Sequence, residues 1–268
     1  MPHNRPVAIN PWQQRIRRAE KLAIQHSFAA KILGFYIHVA RFQQDVHRTL
    51  ELSAGKTEVS LSSLPKFPEL LHSFPAFLSV VEEKAPAQFA QIARDLRKSS
   101  PASQSDLLNH SWTATTEPEV AEEFVALAFL QPCAELLRSR AGLQVNGYTH
   151  SICPFCNRKA ALGVLRPLGD GARRNLICGF CLCEWEFRRI VCAGCGQEDQ
   201  TKLPVYTAEQ FPHIRVECCD ACHTYIKSVD LTKNGLADPL VDELASVPLD
   251  LWAQEHGYAK LRPNLLGM

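Results

Sequence analysis

Four Cys-x-x-Cys pairs lie within 70 residues of one another: Cys153/Cys156, Cys178/Cys181, Cys192/Cys195 and Cys219/Cys222. Two intervening residues make a tight knuckle that aims both sulfurs at one ion. Two knuckles on neighbouring hairpins complete a tetrahedron of thiolates. One such pair is a weak signal, but four in this arrangement demand small metal-held ribbons. The gaps between pairs one and two, and between three and four, slightly exceed the ~15–20 residues usual for zinc ribbons. Of the 11 cysteines only Cys133 lies in the first half, so composition divides the chain near residue 147. The segment "MPHNRPVAINPWQQRIRRAEKL" is basic but has no apolar run after it, and nowhere are there ~18 consecutive apolar residues. A cytoplasmic, reducing location is therefore expected, with no membrane partner. Clustered cysteines there bind metal more often than they form disulfides.

The second half reads as an internal repeat. "CPFCNRKA" parallels "CAGCGQED", and "RNLICGFC" parallels "RVECCDAC", with Arg174 and Arg215 in equivalent places. "EWEFRRIV" and "TYIKSVDL" follow the returning knuckles as strands. Sequential pairing is the natural expectation: Cys153, Cys156, Cys178 and Cys181 around one ion, and Cys192, Cys195, Cys219 and Cys222 around another. Crossed pairing stays open at this point. Cys183 and Cys218 are surplus to the eight and read as buried small residues. His150 and His223 flank knuckles but find no vacancy. Each ribbon of about 40 residues is too short to fold without a metal, a disulfide or a partner. A structural zinc supplies on the order of 10–16 kcal/mol of apparent binding energy. Tetrathiolate geometry suits iron and zinc alike. The residue after a knuckle's second cysteine favours left-handed backbone. Gly196 suits it, Asn157 tolerates it, and Leu182 and His223 resist it.

The first half reads as helices. Phe28, Ile32, Phe35, Val39, Phe42, Val46 and Leu50 mark one face of a long helix. Short helices interrupted by Pro65, Pro68, Pro75 and Pro86 follow, one ending near Lys98. "KSSPASQSD" reads as a loop. Thr116 and Glu119 form a capping box for a helix that Pro132 should kink or interrupt. Cys133 reads as a buried hydrophobe, and His38, His47 and His72 as ordinary helix-face residues. No nucleophile–base set stands out, and closed thiolate sets argue against an enzyme. Net charge is +1, and acidic and basic residues nearly balance beyond residue 150, which disfavours nucleic acid. A zinc-ribbon nucleic-acid binder and a rubredoxin-like electron carrier are the alternative readings to an assembly protein.

"CPFCNRKA", "RNLICGFCLCEWEFRRIVCAGCG", "RVECCDACHTYIKSVD" and "DPLVDELASVPLDLWAQEHGY" together resemble the formate dehydrogenase accessory proteins of the FdhE type. The resemblance is specific across about residues 147–262 and looser before. It implies a cytoplasmic accessory protein that supports formation of active respiratory formate dehydrogenase by binding its catalytic subunit. A second copy of the chain, forming a homodimer, is a further candidate partner. It also implies two rubredoxin-type iron sites on the eight paired cysteines, with zinc fitting the same cages. The expected architecture is α+β. A helical domain (1–146) precedes two tandem rubredoxin-like ribbons (147–190 and 191–232), then a C-terminal helix and tail (233–268). In that last helix Asp238, Asp242 and Glu243 match the family, and Leu240, Leu244 and Leu251 should face the body.

Overall fold

The computed structural model describes residues 10–53, 68–116 and 121–267. Its first part is helical: α1 (Pro11–Gln25), a single 3-10 turn, α2 (Ala30–Ser53), α3 (Pro68–Lys84), α4 (Ala87–Lys98), α5 (Pro101–Thr113) and α6 (Ala121–Arg140). Helix α2 lies at the centre, packed on α1, α3 and α6. Of the expected stripe, Phe35, Val39, Val46 and Leu50 are buried, whereas Phe28, in the 3-10 turn, is exposed.

Three helical expectations change. The stretch expected to be a loop, residues 98–106, instead contains the start of α5. Ser100 Oγ accepts the Ser103 N–H at 3.1 Å and Pro101 takes the first helical position. Serine then proline is a start signal as well as a turn signal. Helix α1 begins the same way, with Asn10 Oδ1 accepting the Trp12 N–H at 2.9 Å ahead of Pro11. Pro75 and Pro132 sit inside α3 and α6 without ending them. Tertiary packing outweighs the ~3 kcal/mol cost of an interior proline: Phe74, Phe77, Leu78, Phe129 and Leu130 around them are all buried. Of the expected capping box, Glu119 lies outside the described residues.

The second part is one mixed sheet in the order β3-β2-β1-β6-β5-β4, with β7 beside β6. Its strands are β1 (Ala160–Leu168), β2 (Gly171–Cys178), β3 (Glu184–Glu186), β4 (Val205–Ala208), β5 (Phe211–Cys219), β6 (Thr224–Asp230) and β7 (Ala259–Lys260). Each ribbon is an antiparallel meander, β1-β2-β3 and β4-β5-β6. The two ribbons are joined into a single sheet by parallel pairing of β1 with β6, Gly163 opposite Ser228. A Cβ on residue 163 would fall 2.1 Å from Ser228 Oγ, so this junction requires glycine. The repeat is head-to-tail, which leaves β3 and β4 as the sheet's ends.

The closing helix is two helices, α7 (Pro239–Ala245) and α8 (Val247–Glu255). Asp238 caps α7 by accepting from the N–H groups of Leu240 and Val241. Leu244 is buried and Leu240 partly so, but Leu251 is 55% exposed rather than facing the body. One apolar core runs from the helices into the first ribbon, taking in Phe129, Cys133, Trp185 and the first two knuckles. No described helix is long and apolar enough to cross a membrane.

Candidate metal centres

The eight knuckle cysteines gather into two tetrads, Cys153/Cys156/Cys178/Cys181 and Cys192/Cys195/Cys219/Cys222. Pairing is thus sequential. Within each tetrad all four sulfurs lie within 4.8 Å of one another. Specific separations are 3.5 Å for Cys153–Cys181, 3.4 Å for Cys156–Cys178, and 3.7 Å for both Cys192–Cys222 and Cys195–Cys219. A tetrahedron with metal–sulfur bonds of ~2.3 Å has edges near ~3.8 Å. A disulfide needs ~2.05 Å, and every cysteine is a free thiol. The donor sets therefore fit a tetrahedral ion.

Local backbone explains the convergence. Each second cysteine is followed by left-handed backbone: Asn157 at φ 57°, Leu182 at 55°, Gly196 at 78° and His223 at 53°. Leu182 and His223 adopt this conformation despite the strain on a side chain bearing Cβ. The turn points N–H groups at sulfur. Phe155 and Phe180 donate to Cys153 and Cys178 at 3.4 Å, and Gly194 donates to Cys192 at 3.2 Å. Such donors favour the thiolate form, which is the metal ligand.

The two tetrads differ in surroundings. All four cysteines of the first are buried, packed on the helical core. Arg158 ties this ribbon to α5. Its guanidinium lies 3.8 Å from the Phe180 ring centre and donates to the carbonyls of Ser111, Trp112 and Ala114 at the C-terminal end of α5. Gln131 on α6 donates to the Gly179 carbonyl at 2.9 Å, inside the second knuckle. In the second tetrad Cys195 is exposed and Cys222 half-buried. Burial pushes the Cys219 thiol up to about 12. Burial also acts against ionisation of Cys222, but the Thr224 hydroxyl 3.1 Å away helps draw it down to about 7.

Cys183 and Cys218 stay outside both tetrads. Cys183 is buried beside the first, its carbonyl accepting the Cys178 N–H. Cys218 packs in a separate apolar cluster with Phe211, Tyr225 and Leu249. Neither tetrad contains a histidine. Cys133 is fully buried and its thiol is raised to about 12 by that burial.

Sequence reasoning missed how the acidic residues of α7 act. Asp242 receives a bidentate pair from Arg18 of α1, at 2.8 and 2.5 Å, and bonds His213 at 2.8 Å. Glu243 lies with Lys227, Lys260 and Asp250 in a buried charge network. Acid at these positions was legible; that Asp242 would meet Arg18, 224 residues away in the chain, was not.

Residues 190–266 match the family model described as "FdhE, C-terminal domain". Similarity to curated FdhE homologues extends much further. The protein FdhE homolog of Aquifex aeolicus is 27% identical over 253 residues, 88% of each chain. That of Pectobacterium carotovorum is 26% identical over 94% of this chain and 86% of its own. This is an FdhE-like chain. The resemblance read from its motifs is thus shown, and it includes the helical half as well as the ribbons. The crystal structure of the FdhE protein from Pseudomonas aeruginosa has the same fold: TM-score 0.67 over 99% of this chain and 98% of that one, at 24% identity. The helical region, the cysteine-bearing sheet and the final short helices are the FdhE fold.

Proposed function

We propose that this FdhE-like chain is a cytoplasmic accessory protein for the formation of active respiratory formate dehydrogenase. It acts by binding the catalytic subunit and is not itself an enzyme. In this reading the eight tetrad cysteines are metal ligands for two iron ions of rubredoxin type, with zinc as the alternative occupant. Residues 1–146, 147–190, 191–232 and 233–268 serve as its helical unit, two ribbons and C-terminal unit. The observation that carries this reading is a pair of four-sulfur cages in a chain similar to FdhE proteins along most of its length. Four thiolates complete the coordination of a tetrahedral ion and leave no open position for substrate. When bound, such an ion cross-links two knuckles and so fixes the ribbon around them.

Elemental analysis of protein purified without oxygen tests the cages. Two equivalents of iron per chain is the expected result. Zinc in both would keep the structural role and remove electron transfer; freshly reduced protein free of metal would defeat the reading. Capture of the catalytic subunit tests the partner. Binding should be lost with Cys153→Ser plus Cys192→Ser, and binding that survives this pair would show that the ribbons are not the contact surface.

A further inference from the structure

A cleft of about 390 Å3 opens where the two ribbons meet. Strands β1 and β2 line one side, β4, β5 and β6 the other, and residues 189–194 between the ribbons close it further. Its charged lining is three arginines, Arg174, Arg189 and Arg215, against one carboxylate, Glu217. Arg174 is 3% exposed. It donates to the carbonyls of Arg188 and Val191 and pairs with Glu217 at 2.6 Å. Its Nε–H is buried and has no hydrogen-bond partner among the described residues, a condition rare for a buried donor. Arg215 is engaged by Asp230 at 3.0 Å. Arg189 is exposed and makes no ion pair with any described residue.

The rim is apolar. Ile190 and Val205 line the cleft, 51% and 53% exposed. Val205 also begins β4, which pairs with β5 on one side and with no strand on the other among the described residues. An open strand edge accepts an extended segment by main-chain pairing, with alternate side chains falling into pockets. Cys192 and Cys219 form part of the wall, so a loaded second cage adds negative charge there. The anion-seeking groups, Arg189 and the Arg174 Nε–H, are supplied by the other ribbon and the linker. A small anion would answer the guanidinium groups alone and leave Ile190 and Val205 in water.

We propose that the inter-ribbon cleft is a docking site for an extended segment of a partner protein that alternates acidic and apolar side chains. Its backbone lies along the free edge of β4 and its carboxylates face Arg189 and Arg174. The inference rests on the docking reading above for the partner's identity only. The cleft's selectivity is testable without it.

The test uses the metal-loaded full chain and two fluorescein-labelled nine-residue peptides, one alternating valine with glutamate and one valine with lysine, read by fluorescence anisotropy. The glutamate peptide is expected to saturate, to weaken steeply with salt, and to lose at least tenfold in affinity with Arg189→Glu and with Val205→Asp. Both positions are exposed, and unchanged metal content and melting confirm that the variants fold. Arg48→Glu, on the distant exposed face of α2, should bind like wild type. Equal binding of the lysine peptide, no binding of either, or indifference to both cleft variants overturns the proposal. If the glutamate peptide binds as expected but fails to displace the formate dehydrogenase catalytic subunit, that partner is wrong and the cleft assignment stands. If the subunit binds Arg189→Glu and Val205→Asp as tightly as wild type, the cleft is not its docking site; the docking reading survives, and the cleft assignment stands or falls on the peptides alone.

Discussion

Single positions show where local preference yields to the fold. Leu182 and His223 hold φ of 55° and 53° where glycine is favoured, because only that backbone returns the chain so that the second sulfur of each knuckle meets the first. Left-handed backbone costs a residue with Cβ roughly 1–2 kcal/mol. His223 is exposed and outside the tetrads. His223→Gly should therefore stabilise the metal-loaded protein by about 0.5–1 kcal/mol, once glycine's greater freedom in the unfolded chain is deducted. A thermal melt at saturating metal checks it. Leu182 is 8% exposed, so the same change there removes a packed side chain and should show no gain. The spacing of the cysteines made the left-handed position legible; that two poorly suited residues occupy it was legible too. Their tolerance was not, because it depends on the closing of each cage.

Among the elements, α7 illustrates what patterning conveys and what it omits. "DPLVDELA" reads as a capped acidic helix, and Asp238 does cap it. Burial works against ionisation of Glu243, yet Lys227 and Lys260 hold its carboxyl down at about 2, well below the ordinary 4.5. A carboxylate lowered in the folded state contributes stability that is complete above the unfolded value. That contribution fades as pH falls through the folded one. The Glu243 contribution should thus be intact at neutral pH and decay between about 4.5 and 2. Glu243→Gln removes one of the two carboxylates that neutralise buried Lys227 and Lys260, the other being Asp250, and should cost about 3–5 kcal/mol at pH 7. The gap from wild type should narrow across that acid window, measured by urea unfolding of both proteins at matched metal content. Helix α5 makes the complementary point. A polar serine-rich stretch carried too little apolar periodicity to be read as a helix. Its buried Leu108 and Trp112 and the Arg158 side chain at its end secure it only once the first ribbon is docked.

At the scale of the whole molecule the two cages are unequal. The first is enclosed by its ribbon and the helical body, and the second opens to solvent at Cys195. Transfer of metal to a chelating dye should therefore be biphasic, one equivalent leaving well before the other. Cys195→Ser should abolish the fast equivalent and spare the slow one; a single phase for both would contradict the asymmetry. The eight paired cysteines as candidate cage thiols, the helical character of the first half and the resemblance to FdhE proteins were determined by the sequence alone. They depend on spacings of a few residues and on helical periodicity, both set by local backbone geometry. Only the tertiary structure decided that the ribbons merge through β1 and β6 into one sheet, that one cage is sealed and the other open, and that an arginine-lined cleft lies between the ribbons. Each of those features comes from contacts between segments far apart in the chain, whose pairing no local pattern encodes.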